Sequence, residues 1–144
     1  MRAIPPPLAS YPWQTEHDLR FADMDTLGHI NNGAYGSLME SSRCKMFASP
    51  GFALQDGASV VLVRFEIDYL KEMHWPGDVI AAAGIERVGG ASFRLRQAIF
   101  QNGICTAAAI STGAMMDVVT RRATPIGDPL RQSLLRWAMT SAPA

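Results

Sequence analysis

Asp23 and Asp25 stand one residue apart within FADMDTLGHINNGAY, residues 21–35, and Gly28, His29, Asn31 and Asn32 follow closely. The chain has no other polar cluster as dense. Gly28 permits a sharp turn, and either asparagine can cap a helix that starts behind it. Free amide N–H groups at such a helix start carry partial positive charge. They suit an anion, or a carbonyl oxygen that becomes one in a transition state. Asp25, three residues before Gly28, is spaced to face the carbon of that carbonyl. A carboxylate and an oxyanion hole, without a Ser-His-Asp set, suffice only for an activated acyl group. A thioester is one, because its leaving thiol has a pKa of roughly 8.5 if it resembles a cysteine and departs with little help from an acid. Asp25 then works as base to a water or as nucleophile forming a mixed anhydride, and the residues leave both routes open.

Each of these residues also has a plainer use. Asp25 fits a helix-start acid that stabilises the macrodipole. Asp23 fits a structural acid bonded to turn amides or to Arg20. His29 fits a turn histidine, Asn31 and Asn32 fit ordinary caps, and Tyr35 and Met39 fit core residues, although a substrate tunnel beside a helix uses the same types. Glu40 and Arg43, three apart, fit a local ion pair. Other chemistries lack their parts: GxSxG, HExxH, GxGxxG and GxxxxGK[ST] are missing, and His17, His29 and His74 have no metal-ligand spacing. Neither a metal nor a cofactor is called for.

The elements that position the cluster follow from two periodicities. Trp13, Thr15, His17, Leu19 and Phe21 alternate with polar residues, which predicts a half-buried strand up to the cluster. Behind it Tyr35, Leu38, Met39, Ser42 and Met46 recur at helical spacing. Gly33, Gly36, Ser37, Ser41 and Ser42 make that helix a poor one in isolation, so it is expected to need tertiary packing and to be buried on most sides. Pro50-Gly51 ends it. Val61, Val63, Phe65, Ile67 and Tyr69 alternate with Leu62, Arg64, Glu66 and Asp68 to give a long strand, and WPGD at 75–78 turns the chain. Strands over 79–88, 92–101 and 104–118 are separated by Gly89-Gly90 and Asn102-Gly103, both hairpin dipeptides. Asp128 as cap, Pro129 at the first helical position, and Leu130, Leu134 and Trp137 on one side predict a short closing helix.

The fold class is therefore α+β, in the order strand, central helix, four antiparallel strands. Residues 1–12, with Pro5-Pro6-Pro7, read as a flexible arm, 13–138 as one domain and 139–144 as a tail. At 144 residues one core is expected. Thirteen basic residues balance thirteen acidic ones, so no basic footprint for nucleic acid exists. The opening residues hold no apolar run of signal or anchor length, so no membrane association is expected. Cys44 and Cys105 have no CxxC spacing and read as reduced core thiols of a cytoplasmic protein.

RFADMDTLGHINNGAYGSLMESSR, with FEIDYLKEMHWPGD and PIGDPLRQSL further on, resembles the hotdog-fold acyl-CoA thioesterases of the 4-hydroxybenzoyl-CoA thioesterase type. The likeness runs from residue 13 to about 135, and its most specific piece is D-x-D-x-x-G-H-x-N-N-x-x-Y. The resemblance implies a long antiparallel sheet wrapped around one helix, an acyl-CoA substrate, and homodimers or homotetramers with active sites at the subunit interface. It matches Asp25 to the catalytic carboxylate and places the amide that polarises the thioester carbonyl near Asn32. His29 and Asn31 match positions lining the site, and Gly28, at the turn, and Tyr35, beside the helix, join them as candidate substrate-binding residues. Members specialised for aromatic acyl groups carry a more apolar string where this chain has His29 to Asn32, so the resemblance does not carry the aromatic substrate over. Arg64, Lys71, Arg94, Arg96, Arg121 and Arg122 are the cations available to a nucleotide. Two rivals share the fold: an enoyl-thioester hydratase or dehydratase, whose D-x-N-P-x-H type string is missing, and a non-catalytic module that binds an acyl thioester without releasing thiol.

Overall fold

A computed structural model describes residues 4–141. Its elements are β1 (Trp13–Asp18), α1 (Asn32–Phe47), β2 (Ala58–Tyr69), β3 (Asp78–Val88), β4 (Ser92–Gln101), β5 (Ile104–Asp117) and α2 (Asp128–Arg136). The five strands form one antiparallel sheet in the order β1-β3-β4-β5-β2. With α1 laid on its inner face, this is the α+β hotdog arrangement. Asn102 and Gly103 both take positive φ, 52° and 76°, as a two-residue hairpin turn matched to strand twist requires.

α1 meets the sheet through Tyr35, Met39, Ser42 and Met46, all buried, at the spacing that puts them on one helix face. Met39 joins Val79, Ile99 and Ala107 in one cluster, and Met46 joins Phe93, Leu95, Leu130 and Leu134 in another. Each buried methionine contributes about 1.5–3 kcal/mol of transfer free energy, which a helix of such low intrinsic propensity needs. The expectation of a helix buried on most sides is corrected. Gly33, Ser37, Glu40, Ser41, Cys44 and Lys45 are exposed in this chain, because a single sheet covers only one face.

Four further readings change. β1 ends at Asp18, and Phe21 lies exposed beyond it. In β2 a bulge between Leu62 and Arg64 reverses the alternation, so Val60, rather than Val61, packs with Phe65 and Ile67 on the core side. Cys44 is exposed and Cys105 half-buried, and both are free thiols. Asp128 opens α2 but does not cap it; Gly127 holds the cap position without a side-chain bond.

The residues expected to form a loose arm are packed from Leu8 onward. Leu8–Ser10 make a 3-10 turn, and Tyr11 is buried against Phe100 on the outer sheet face. Met139 bonds Ile85 and Thr140 bonds Ser10 through the backbone, which ties the first part of the expected tail to this arm. Residues 1–3 and 142–144 lie outside the described residues. No described helix is long and apolar enough to cross a membrane.

Candidate active site

The cluster that opens the chemistry folds as a miniature hairpin. Asp25 N donates to His29 O (3.0 Å), Asn31 N to Asp23 O (2.7 Å) and Gly28 N to Asp25 O (3.1 Å). Gly28 takes φ +82° at its tip, a conformation open to glycine at no steric cost. Met24 packs inward against the Tyr35–Met39 cluster, so by strand alternation Asp23 and Asp25 project away from the core.

The two acids then divide. Asp23 bonds the Arg20 backbone (2.8 Å) and guanidinium (2.8 Å), and this pairing with Arg20 holds its carboxyl below the usual range. It is a structural acid. Asp25 uses one carboxylate oxygen to accept from Leu27 N (2.9 Å). That is the one described bond to its side chain.

At the helix start Asn31 is the cap, accepting from Gly33 N through Oδ1 (2.7 Å) and from Ala34 N through its carbonyl (3.0 Å). Among the described residues the Asn32 N–H donates to nothing. This is the amide that the resemblance puts against a thioester oxygen. Its carbonyl accepts from Tyr69 Oη (3.3 Å).

Tyr35 lies under this start. Its hydroxyl donates to Lys71 O (3.0 Å), its ring meets Tyr69 edge to face at 5.2 Å, and burial pushes its phenol up. The segment it grips runs from the end of β2 to the expected WPGD turn and packs against the hairpin. Ile30 N donates to Met73 O (2.9 Å), and Glu72 reaches His29 Nε2 (3.4 Å) and His74 Nε2 (3.8 Å). Gln101 clasps His74 at both its N–H (3.0 Å) and its carbonyl (2.9 Å). A separation of about forty residues hid the Glu72–His29 pair from pattern reading.

Beside the helix, an open groove of about 750 Å³ runs between β1 and the exposed side of α1. Asp23, Asn31 and Gly33 line it, and Asp25 does not. Glu16, Asp18 and Asp23 give it an acidic rim, with Arg20 the one guanidinium there. Among the described residues no three His, Cys, Asp or Glu side chains converge as metal ligands.

The Glu40–Arg43 ion pair does not form; Arg43 donates instead to Gln97 Oε1 (3.3 Å). Arg64 pairs with Glu66, and Arg94 and Arg96 pair with Glu86.

With this geometry in place, the comparisons with known proteins agree on a class. Residues 19–134 match the model of the thioesterase-like superfamily, and the chain belongs to that family of hotdog-fold thioesterases. A predicted thioesterase from Bacillus stearothermophilus is 30% identical over 90% of this chain and 98% of that one, with a TM-score of 0.81. A thioesterase from Thermus thermophilus, in complex with coenzyme A and zinc, is 26% identical over 89% of this chain and 95% of that one, with a TM-score of 0.78. A 1,4-dihydroxy-2-naphthoyl-CoA thioesterase from Synechocystis is 17% identical over 85% of this chain and 94% of that one, with a TM-score of 0.76, and shares the fold. No curated protein matches at a significant level. Thioester hydrolysis is the chemistry of the family.

Proposed function

We propose that this protein hydrolyses an acyl-CoA thioester to the free acid and CoA. The observation that carries the reading is the unpartnered Asn32 N–H at the start of α1, one short hairpin away from the carboxylate of Asp25. The amide polarises the thioester carbonyl, and the developing oxyanion takes the hydrogen bond that the ground state leaves unused. Asp25 either removes a proton from the attacking water or attacks the carbonyl carbon itself. In the second route, water then cleaves the mixed anhydride and the carboxylate is regenerated. In both, the C–S bond breaks and the thiolate leaves. Gly28 sets the turn, Asn31 caps the helix, and His29, held toward Glu72, and Tyr35 line the site.

The CoA assignment draws on the Thermus relative bound to coenzyme A. The acidic rim of the β1 groove is a poor seat for its phosphates. β2 is an edge strand with exposed Leu62 and Val63, a template for pairing with a second copy, so the working assembly is a homodimer or homotetramer with sites at the interface. Free Cys44 and Cys105 suit the reducing cytoplasm.

Thiol release from short, long and aromatic acyl-CoAs tests the reading, on wild type and Asp25→Asn at matched folding and oligomeric state. Wild type turns over, and the variant loses about 100-fold or more in kcat/KM. Binding of acyl-CoA by wild type with no thiol released would replace hydrolysis with a non-catalytic binding role.

A further inference from the structure

The hairpin at the start of the site sets two side chains face to face. Met24 and Ile30 pair across it as an antiparallel bridge, so the next pair toward the turn is Asp25 opposite His29, and Asp25 N donates to His29 O (3.0 Å). Met24 and Ile30 pack in the core. Asp25 and His29 therefore share the opposite face, where the Cβ atoms of directly opposed residues lie about 5 Å apart. Asp25 carries the chemistry in the thioesterase reading, and half-buried His29 stands beside it.

His29 is held from another segment of the chain. Glu72 Oε1 lies 3.4 Å from His29 Nε2, and Glu72 Oε2 lies 3.8 Å from His74 Nε2. One carboxylate thus spans two imidazoles, whose ring centroids are 6.3 Å apart. The backbone on either side of Glu72 is fixed. Tyr35 Oη donates to Lys71 O, Ile30 N donates to Met73 O, and Gln101 holds His74 at its N–H and its carbonyl. Of the other polar groups near the pair, Asp23 is spent on Arg20, the Tyr35 hydroxyl is spent on Lys71 O, and Lys71 is exposed.

An ionised carboxylate only accepts hydrogen bonds. The ring nitrogen facing it therefore carries the proton, and in a neutral imidazole the other nitrogen keeps the free lone pair. Glu72 so favours Nε2–H on His29 and leaves Nδ1 as the acceptor. Nδ1 is bonded to the ring carbon attached to Cβ, which keeps it near the face that His29 shares with Asp25. One Asp25 oxygen already accepts from Leu27 N (2.9 Å). Of a carboxylate and an imidazole, the imidazole is the better proton carrier at neutrality, because its ordinary pKa of about 6.5 lies closer to it.

We propose that His29 is the proton carrier of the hydrolysis and that Glu72 is its positioning residue. Asp25 attacks the thioester carbonyl, the C–S bond breaks and the thiolate leaves. Water then attacks the mixed anhydride, its proton passes to His29 Nδ1, the anhydride C–O bond breaks and the Asp25 carboxylate returns. The imidazolium hands its proton to the thiolate, giving free acid, free thiol and the starting enzyme. The inference rests on the thioesterase reading and deepens it, because a separate base for water leaves Asp25 the nucleophile.

The test follows thiol and free-acid release after rapid mixing with the short, long and aromatic acyl-CoAs. Wild type, His29→Gln, His29→Asn, Glu72→Ala and Glu72→Gln are compared, each checked for a wild-type melting transition. The His29 variants lose about 100-fold in kcat and show a burst. One thiol per site appears ahead of the acid, and the intact mass rises by one acyl group, because the first step needs no base and the second has lost it. Glu72→Ala loses about tenfold in kcat at unchanged KM, the effect of one hydrogen bond, and Glu72→Gln, which keeps an oxygen acceptor, falls between it and wild type. Nitrogen-15 NMR, assigned against the His29→Gln spectrum, shows neutral His29 protonated at Nε2 in wild type and a mixture of tautomers in Glu72→Ala. His29 variants as fast as wild type, or slowed with neither burst nor acyl adduct, would overturn the proton-carrier role and leave the thioesterase intact. Full kcat or an unchanged tautomer in Glu72→Ala would remove Glu72 from it. If wild type releases no thiol from any ester, the thioesterase reading fails and takes this role with it.

Discussion

α1 meets the two edges of its sheet in different ways. Toward β1 it is locked by polar bonds. Trp13 Nε1 donates to Ser42 O (3.0 Å), and Thr15 Oγ1 donates to Ser42 Oγ (2.9 Å), which donates in turn to Ala81 O (3.2 Å). Thr15 Oγ1 also lies 3.3 Å from Ala81 O and shares a hydrogen bond with His17 Nε2 (2.8 Å). Toward β2 the helix makes one hydroxyl contact near its start, at Asn32, Phe65 packs beside Gly36, and a separate pocket of about 180 Å³ lies further along, beside Glu40 and Cys44. The polar bonds supply register, while the larger open groove lies on the β1 side, along the helix face that the sheet leaves uncovered.

The comparison can be broken at several points. The largest effect is the loss of about 100-fold or more in turnover expected of Asp25→Asn. Next is the clamp itself. Thr15→Val keeps the shape but removes the bonds to buried Ser42 and half-buried His17, while Ser42 keeps its bond to Ala81 O, and a loss of about 1 kcal/mol by urea unfolding is expected. No change would mean that apolar packing alone seats the helix.

Smaller again is the pH response of the clamp. Burial, and then the Lys45 charge, lower the His17 pKa from its ordinary 6.5. The unfolded chain therefore takes up the proton first, and protonation works against folding. Stability carries no His17 penalty above about pH 6.5 and falls as pH drops through that value toward the lower folded pKa. Melting temperatures between pH 7.5 and 5.5 read this slope, and His17→Gln flattens it; an unchanged slope would mean that other groups carry it.

The smallest change is on the β2 side. Gly36→Ala places a methyl in ordinary contact with Phe65 and removes a helical glycine, so stability to urea rises by up to about 1 kcal/mol. A loss of stability would mean that the helix lies this close to Phe65 only without a side chain.

The residues alone determined a good deal, because local chemistry specified it. The strand spans, the hairpin turn at Asn102-Gly103 and the buried stripe of Tyr35, Met39, Ser42 and Met46 were legible from periodicity and turn types. Gly28 and the asparagine cap were legible for the same reason. The family was legible because its string D-x-D-x-x-G-H-x-N-N lies within one short loop.

Other features were settled only when distant segments met. The bulge in β2 comes from pairing with β5, so alternation put Val61 where Val60 belongs. Arg43 took Gln97, 54 residues away, because helix packing offered a buried acceptor that Glu40, its neighbour in sequence, could not match. Glu72 reached His29 only through the contacts that Tyr35 and Ile30 make with residues 71 and 73. The residues thus carry the turn, the cap and the acid, each a property of a few neighbouring positions. Tertiary structure decides which helix residues meet each sheet edge and where the grooves are left, because that depends on two sheet edges that no local pattern brings together.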